Sequence, residues 1–135
     1  MLEAKIKHLE LIQVAINRLG GNSFMVKGWA LTLVSALFAL AAKDVNIRIV
    51  YVSYVPITVF WFLDTFYLRT ERKYRLLFDA VRKTPPEEIE FSMDISAYTG
   101  DVSGWWKTMW SMTLAPFYGV LLLVALVASV ILNLK

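Results

Sequence analysis

The fold is decided by FMVKGWALTLVSALFALAA at residues 24–42 and IVYVSYVPITVFWFLDTFYL at residues 49–68, two apolar stretches that flank a short polar turn. Each stretch is long enough, as a helix, to cross a hydrocarbon core of about 30 Å. Each carries one charge inside it, Lys27 in the first and Asp64 in the second. The sequence therefore predicts a membrane-spanning helical hairpin with two internal charges.

A third uncharged stretch follows Thr108 and continues to Leu134, which is long enough to span with tilt. A bend is expected at Pro116, and Trp105, Trp106 and Trp110 at the entrance of the stretch are expected to anchor it at the membrane interface. The chain has 135 residues and 58% hydrophobic content, which is too apolar for an ordinary soluble domain.

The remaining segments are polar or amphipathic. Residues 2–19 have an amphipathic helical pattern that Gly20-Gly21 is expected to stop. The second helix is predicted to continue past Asp64 as a basic stalk up to Pro85, and the acidic residues after it alternate with apolar ones as in a short strand or extended segment.

These predictions describe an all-α membrane protein in four parts. Residues 1–21 form a cytoplasmic amphipathic helix and residues 22–68 a two-span hairpin. Residues 69–107 form a cytoplasmic basic helix with a short extended acidic segment, and residues 108–135 form the third transmembrane helix.

The orientation follows from the distribution of Lys and Arg. Positive residues accumulate on the cytoplasmic side of bacterial inner-membrane proteins. Three lie on the side of the hairpin turn and the carboxyl terminus: Lys43, Arg48 and Lys135. Eleven lie on the other side: Lys5, Lys7, Arg18, Lys27, Arg69, Arg72, Lys73, Arg75, Arg82, Lys83 and Lys107. The amino terminus is predicted to be cytoplasmic and the carboxyl terminus outside.

The two internal charges are expected to meet. Lys27 lies fifteen positions from Ala42 and Asp64 fifteen from Ile49, so a hairpin places both at similar depth. An ion pair would relieve a cost of roughly 2.5–3.5 kcal/mol for a charge at mid-membrane. Two interpretations remain open: a structural clamp, or a gate on an ion pathway.

Small and weakly polar residues form a stripe along the first span at steps of four and three. Such a stripe permits close helix packing in a bilayer, or its hydroxyls line a narrow wet pore. Both uses stay open for its members, which are Gly28, Thr32, Ser35, Ala39 and Ala42.

The basic stalk is a candidate surface for an anionic ligand. Arg69, Arg72, Lys73 and Arg75 satisfy the positive-inside rule and attract anionic lipid without any further role. Repeated around an oligomer axis, they would also bind phosphates of a nucleotide or single-stranded nucleic acid, with Tyr74 available to stack on a base.

No catalytic machinery is recognisable. The sequence has no cysteine, and His8 is its only histidine, which leaves no thiol nucleophile and too few ligands for a zinc or iron centre. Gly20-Gly21 lacks the Lys and Ser or Thr of a phosphate-binding loop. We expect no enzymatic activity, no cofactor and no metal.

Five short motifs resemble a family of small bacterial membrane proteins, the Hailong-type effectors of antiphage defence that are encoded beside a nucleotidyltransferase. The likeness is best over residues 10–83. It is carried by Asn22-Ser23-Phe24, Lys27-Gly28-Trp29, Ser35-Ala36-Leu37-Phe38-Ala39-Leu40-Ala41, Phe60-Trp61-Phe62-Leu63-Asp64 and Tyr67-Leu68-Arg69-Thr70-Glu71-Arg72.

The resemblance implies a homo-oligomeric ion channel, with a tetramer as the expected assembly. Such a channel would be held shut by a single-stranded DNA oligomer made by the partner nucleotidyltransferase, and would open during infection to depolarise the membrane. The alternative function is a non-conducting membrane anchor or scaffold that recruits a cytoplasmic partner protein. A subunit of a larger membrane complex is a third possibility.

Overall fold

A computed structural model describes residues 2–134, which contain helices and no strand. Four α-helices follow one another: α1 (Leu2–Asp44), α2 (Ile47–Lys83), α3 (Trp105–Met109) and α4 (Ala115–Asn133). Two short 3-10 turns, Pro86–Glu88 and Ser96–Asp101, lie between α2 and α3. Met1 and Lys135, which the predicted boundaries and the charge tally include, lie outside the described residues.

Three of these helices, α1, α2 and α4, are long and apolar enough to cross a membrane. At about 1.5 Å per residue, the 43 residues of α1 extend roughly 64 Å and the 37 residues of α2 roughly 55 Å. Both are about twice the thickness of a hydrocarbon core. Each therefore combines a membrane-length apolar half with a polar half that extends beyond it.

The turn between α1 and α2 is very tight. Val45 adopts a left-handed backbone conformation, with φ of 49°. The side chain of Asn46 caps α2 by accepting a hydrogen bond from the backbone N–H of Arg48, at 3.0 Å. A β-branched residue is uncommon at positive φ, so the turn is held by the packing of the two long helices on either side of it.

The prediction that Gly20-Gly21 ends the first helix is wrong. α1 passes through both glycines without a break. Two interior glycines cost a helix about 2 kcal/mol relative to alanine. The amphipathic half of α1 offsets this by burying Ile12 and Ile16 against α2, so the segments predicted as separate helices are one.

Two apolar clusters hold the bundle together. The membrane cluster joins α1, α2, α3 and α4 and consists of Ala30, Val34, Ile57, Trp61, Leu68, Met109, Leu114, Tyr118, Leu121 and Ala125. The stalk cluster joins the polar halves of α1 and α2 and consists of Ile12, Ile16, Leu77 and Val81. The stalk cluster covers an apolar face of the basic helix.

Two prolines behave differently in the spans. Pro56 is buried inside α2, which stays helical from Ile47 to Lys83. Pro116 lies in the first turn of α4, so the predicted bend within the third span is wrong. Proline suits that position because the first N–H groups of a helix have no intrahelical acceptor. The third span therefore begins at Ala115, and the residues before it form the short helix α3 and a turn.

The acidic segment after α2 forms no strand. Ile89, Met93 and Ile95 pack against the stalk cluster, so the alternating pattern did mark a covered face. Phe91 lies between them with φ of 55°, in the left-handed region. This conformation interrupts an extended chain, and no neighbouring strand is available to pair with it.

The stalk cluster makes a prediction about stability. We expect Ile12→Ala to destabilise the protein by about 2–4 kcal/mol, because a fully buried side chain is lost. The neighbouring Leu11 is 49% exposed, so Leu11→Ala should cost less than about 0.5 kcal/mol. Hydrogen exchange of the amides of residues 69–83 in detergent measures both, and equal effects would contradict the packing.

Candidate functional site

Asp64 lies at the meeting point of three helices, where its side chain is fully buried. The Lys27 Nζ of α1 donates to its Oδ2 at 2.5 Å, and the Tyr118 hydroxyl of α4 donates to the same oxygen at 2.9 Å. The Ser23 hydroxyl donates to Oδ1. A buried carboxylate needs an opposite charge and several donors, and Asp64 has both.

The predicted ion pair between Lys27 and Asp64 is confirmed. Lys27 also donates to the Ser23 hydroxyl oxygen, at 2.8 Å. Its side chain is 21% exposed whereas Asp64 is fully enclosed, so the pair lies at the edge of the bundle on the lysine side. The two charges could separate only by leaving Asp64 without a cation in an apolar interior.

Sequence reasoning missed two members of this network, Ser23 as a ligand of Asp64 and Tyr118 entirely. Ser23 lies four residues, or one helical turn, before Lys27, which places both on one face of α1. Tyr118 is the only tyrosine in the third span, and a buried phenol usually finds a hydrogen-bond partner. This rule could have indicated from the sequence that Tyr118 has a polar partner in the bundle.

Aromatic rings cover the network. Trp61, three residues before Asp64, stacks on Tyr118 with ring centroids 5.7 Å apart and an interplanar angle of 10°. The Trp61 indole N–H donates to the Met109 carbonyl at 2.9 Å, and Trp110 packs edge-on against Trp61 at 5.3 Å. The three tryptophans predicted as an anchor thus divide their roles: Trp110 covers Trp61, Trp105 contacts Arg69, and Trp106 is exposed.

The small-residue stripe of α1 faces away from the rest of the chain. Its members Gly28, Thr32, Ser35, Ala39 and Ala42 are all exposed, whereas the buried residues of this span are Val26, Ala30, Val34 and Ala41. A shallow groove of about 460 Å³ lies over part of the stripe and is lined by Gly28 and Thr32 together with Phe24, Met25 and Trp29. The stripe therefore does not pack α1 against α2 or α4.

The basic residues of α2 differ in their contacts. Arg69 donates from Nε to the Ser103 carbonyl at 3.0 Å, and its guanidinium lies 5.5 Å from the Trp105 ring centroid. Arg75 pairs with Glu71 at 3.0 Å. Within residues 2–134, Arg72 and Lys73 form no ion pair.

Arg72 and Arg75 share a cleft of about 360 Å³ with Ser103 and Asp101. Arg69 is bound to that same loop through Ser103, so three of the four predicted basic residues border one region. Since Arg75 is paired with Glu71, an anion there would meet the guanidinium of Arg72 and the opposing carboxylate of Asp101.

The fifth predicted ligand residue, Tyr74, lies elsewhere. Its ring packs against the stalk cluster, on the side of α2 that faces α1. Positions 72 and 74 are two residues apart, which on a helix is about 200° of rotation. The structure therefore places Tyr74 and Arg72 on different faces of α2, and the stacking role of Tyr74 stays a prediction.

Comparison with protein-family models, with curated proteins and with solved structures finds no match to this chain. Among residues 2–134, no group of three or more His, Asp and Glu side chains is placed to hold a metal ion.

The ion pair makes a prediction that separates its two partners. We expect Lys27→Met to destabilise the protein by about 3–5 kcal/mol, because it leaves the enclosed Asp64 carboxyl without its cation. Asp64→Asn should cost less, about 1–3 kcal/mol, because the partly exposed Lys27 can extend towards water and the amide still accepts hydrogen bonds.

The double variant should be more stable than Lys27→Met alone, because it leaves no unpaired charge. Chemical unfolding in detergent measures all three variants, and Asp44→Asn, at an exposed position on the hairpin turn, serves as the control. Additive losses from the two single substitutions would contradict a direct ion pair.

Proposed function

We propose that the protein is a homo-oligomeric membrane effector that acts as a gated ion channel, with the exposed face of α1 turned towards the oligomer axis. The proposal rests on one observation: the stripe of small and polar residues on α1 is not covered by any other part of the chain. In a bilayer, such a surface is best covered by another helix or by water.

The spacing along α1 supports association of identical helices. Gly21, Gly28, Ser35 and Ala42 recur every seven residues. A seven-residue repeat keeps one seam of a helix facing the common axis of a bundle of helices, in a left-handed packing. Small side chains on that seam allow close approach, and the groove over Gly28 and Thr32 is open to receive a neighbouring side chain.

The hydroxyls on this face support a wet path. Thr65 and Ser129, inside the bundle, each donate to the carbonyl oxygen four residues earlier. Within residues 2–134, the hydroxyls of Thr32 and Ser35 have no such partner. A hydroxyl that faces lipid finds no hydrogen-bond partner there, whereas a hydroxyl that faces a narrow pore binds water or a passing ion.

The network around Asp64 supports a gate beside this path. Lys27 is adjacent to Gly28, and its side chain extends from the stripe-bearing helix to Asp64. The pair stabilises the packing of α1 on α2 and α4 in the described state, which we take as the closed one. Opening would require α1 to move relative to Asp64.

The regulator we propose is an anionic nucleotide or single-stranded DNA oligomer, made by a partner nucleotidyltransferase in an antiphage defence system. This ligand is the one that the family resemblance implies. Positive charge to bind it is present towards one end of α2, on Arg69, Arg72, Lys73 and Arg75. In the inner membrane, the positive-inside distribution would place that end in the cytoplasm, where such a ligand is made.

Ion flux from liposomes that contain the purified protein tests the function. Short single-stranded DNA should suppress the flux, and the suppression should weaken as salt rises, because phosphate binding releases counterions. The variant Arg72→Gln/Lys73→Gln should lose at least about tenfold in sensitivity to the DNA. Lys43→Gln/Arg48→Gln, with the same charge change at the opposite end of the hairpin, should keep it.

Absence of flux from folded, inserted protein would sink the channel proposal and favour the anchor or scaffold function. Flux that is insensitive to DNA at every salt concentration would keep the channel and overturn the regulator.

The pore-lining face makes a separate prediction. Because the sequence has no cysteine, Ser35→Cys introduces a unique thiol. A charged thiol-specific reagent should reduce its flux at least about fivefold, because it places a charge in the narrow path. Val59→Cys, on an exposed face of α2, is the matched control and should keep its flux. Block of the control alone would assign the pore to α2.

A further inference from the structure

A second cleft lies in the stalk, away from the basic residues of the proposed ligand surface. It has a volume of about 370 Å³ and opens between the first turns of α1, the last turns of α2 and the acidic segment. Three aromatic side chains, His8, Phe91 and Tyr98, and three carboxylates, Glu88, Glu90 and Asp94, contribute to its lining. No lysine or arginine does, so the cleft is a negatively charged and aromatic environment.

His8 is the unexplained group in this cleft. It is 4% exposed, and its Nε2 is buried with no hydrogen-bond partner within residues 2–134. Burial lowers the pKa of the imidazole, so the ring is neutral near pH 7. In the tautomer that carries its proton on Nδ1, Nε2 is a hydrogen-bond acceptor that lacks a donor.

Phe91 contacts this histidine and has an unusual backbone conformation. Its ring lies edge-on to the imidazole, with centroids 5.5 Å apart. Its backbone is left-handed, with φ of 55°, which is rare for a large side chain and marks a position held by its surroundings. Because the side chain is 41% exposed, the ring has open space on the side away from His8.

The negative charge of the cleft comes from the carboxylates of Glu88, Glu90 and Asp94. All three are exposed, and the backbone N–H of Ser96 holds the pKa of the Asp94 carboxyl below its usual range, so Asp94 is ionised at neutral pH. The Lys5 ammonium of α1 lies at the end of α2, where its Nζ donates to the carbonyls of Arg82 and Thr84. Within residues 2–134, none of the three carboxylates forms an ion pair with Lys5 or with another basic side chain.

We propose that this cleft binds a small organic ammonium ion with an apolar or aromatic body. An ammonium N–H would donate to the His8 Nε2, and the carboxylates of Glu90 and Asp94 would balance the positive charge. The rings of Phe91 and Tyr98 favour a cation over their faces, and the body of the ligand lies on the apolar side chains of α2. This proposal does not depend on channel activity.

The single histidine allows a direct test. The full-length protein, purified in detergent with a tag that lacks histidine and labelled with isotopes at histidine, has one imidazole spectrum. Phenethylammonium should shift the His8 ring resonances in a saturable manner. The matched neutral probe, 2-phenylethanol, should not. Equal shifts from both probes would overturn the proposal in favour of an apolar cleft, and no shift from either would overturn it altogether.

Exposed carboxylates allow variants that leave the fold intact. Glu90→Gln/Asp94→Asn should weaken binding of phenethylammonium roughly fivefold or more, because two partial ion pairs are lost. Glu87→Gln/Asp101→Asn removes the same charge from exposed positions on the same segment that do not line this cleft, and should change binding less than twofold. Equal weakening in the two double variants would show general charge attraction and contradict a site.

Discussion

A single buried carboxylate constrains how the helices pack. An ionised Asp64 in an apolar bundle is tolerated only with a cation and hydrogen-bond donors around it. These come from two other helices, since Ser23 and Lys27 belong to α1 and Tyr118 belongs to α4. Sliding or rotating either helix by one residue would separate a donor from its oxygen, so the network fixes the register of α1 and α4 on α2. Apolar side chains alone would tolerate several packings of similar energy.

The position of this network explains how a signal outside the membrane could reach it. α1 and α2 each run without interruption from the stalk cluster to the membrane cluster. Lys27 lies between the two clusters on α1, and Asp64 lies among the α2 members of the membrane cluster, between Trp61 and Leu68. A ligand that displaced one stalk helix against the other would therefore apply the displacement to the ion pair. Coupling of this kind requires a rigid element with two arrangements, and two continuous helices clasped at both ends provide the rigid part.

The sequence predicted the parts of the fold that follow from hydropathy and from counting along helices. The three spans, the continuous second helix and the Lys27 to Asp64 contact were found this way. The helix break at Gly20-Gly21 was wrong because glycine propensity is a weak local term that burial of Ile12 and Ile16 outweighs. Tyr118 was missed because its partner is 54 residues away in sequence, and the face occupied by Tyr74 depends on which side of α2 meets α1.

Two glycines inside the continuous helix α1 have no role in the fold of the single chain. A β-carbon built on Gly21 or Gly28 would meet no atom within 4 Å, so neither glycine is needed for close packing inside this chain. Neither has a positive φ, so neither is needed for backbone conformation. Alanine at both positions would strengthen the helix by about 2 kcal/mol. The absence of a side chain there allows another backbone to approach closely, and in our proposal that backbone is α1 of a second copy.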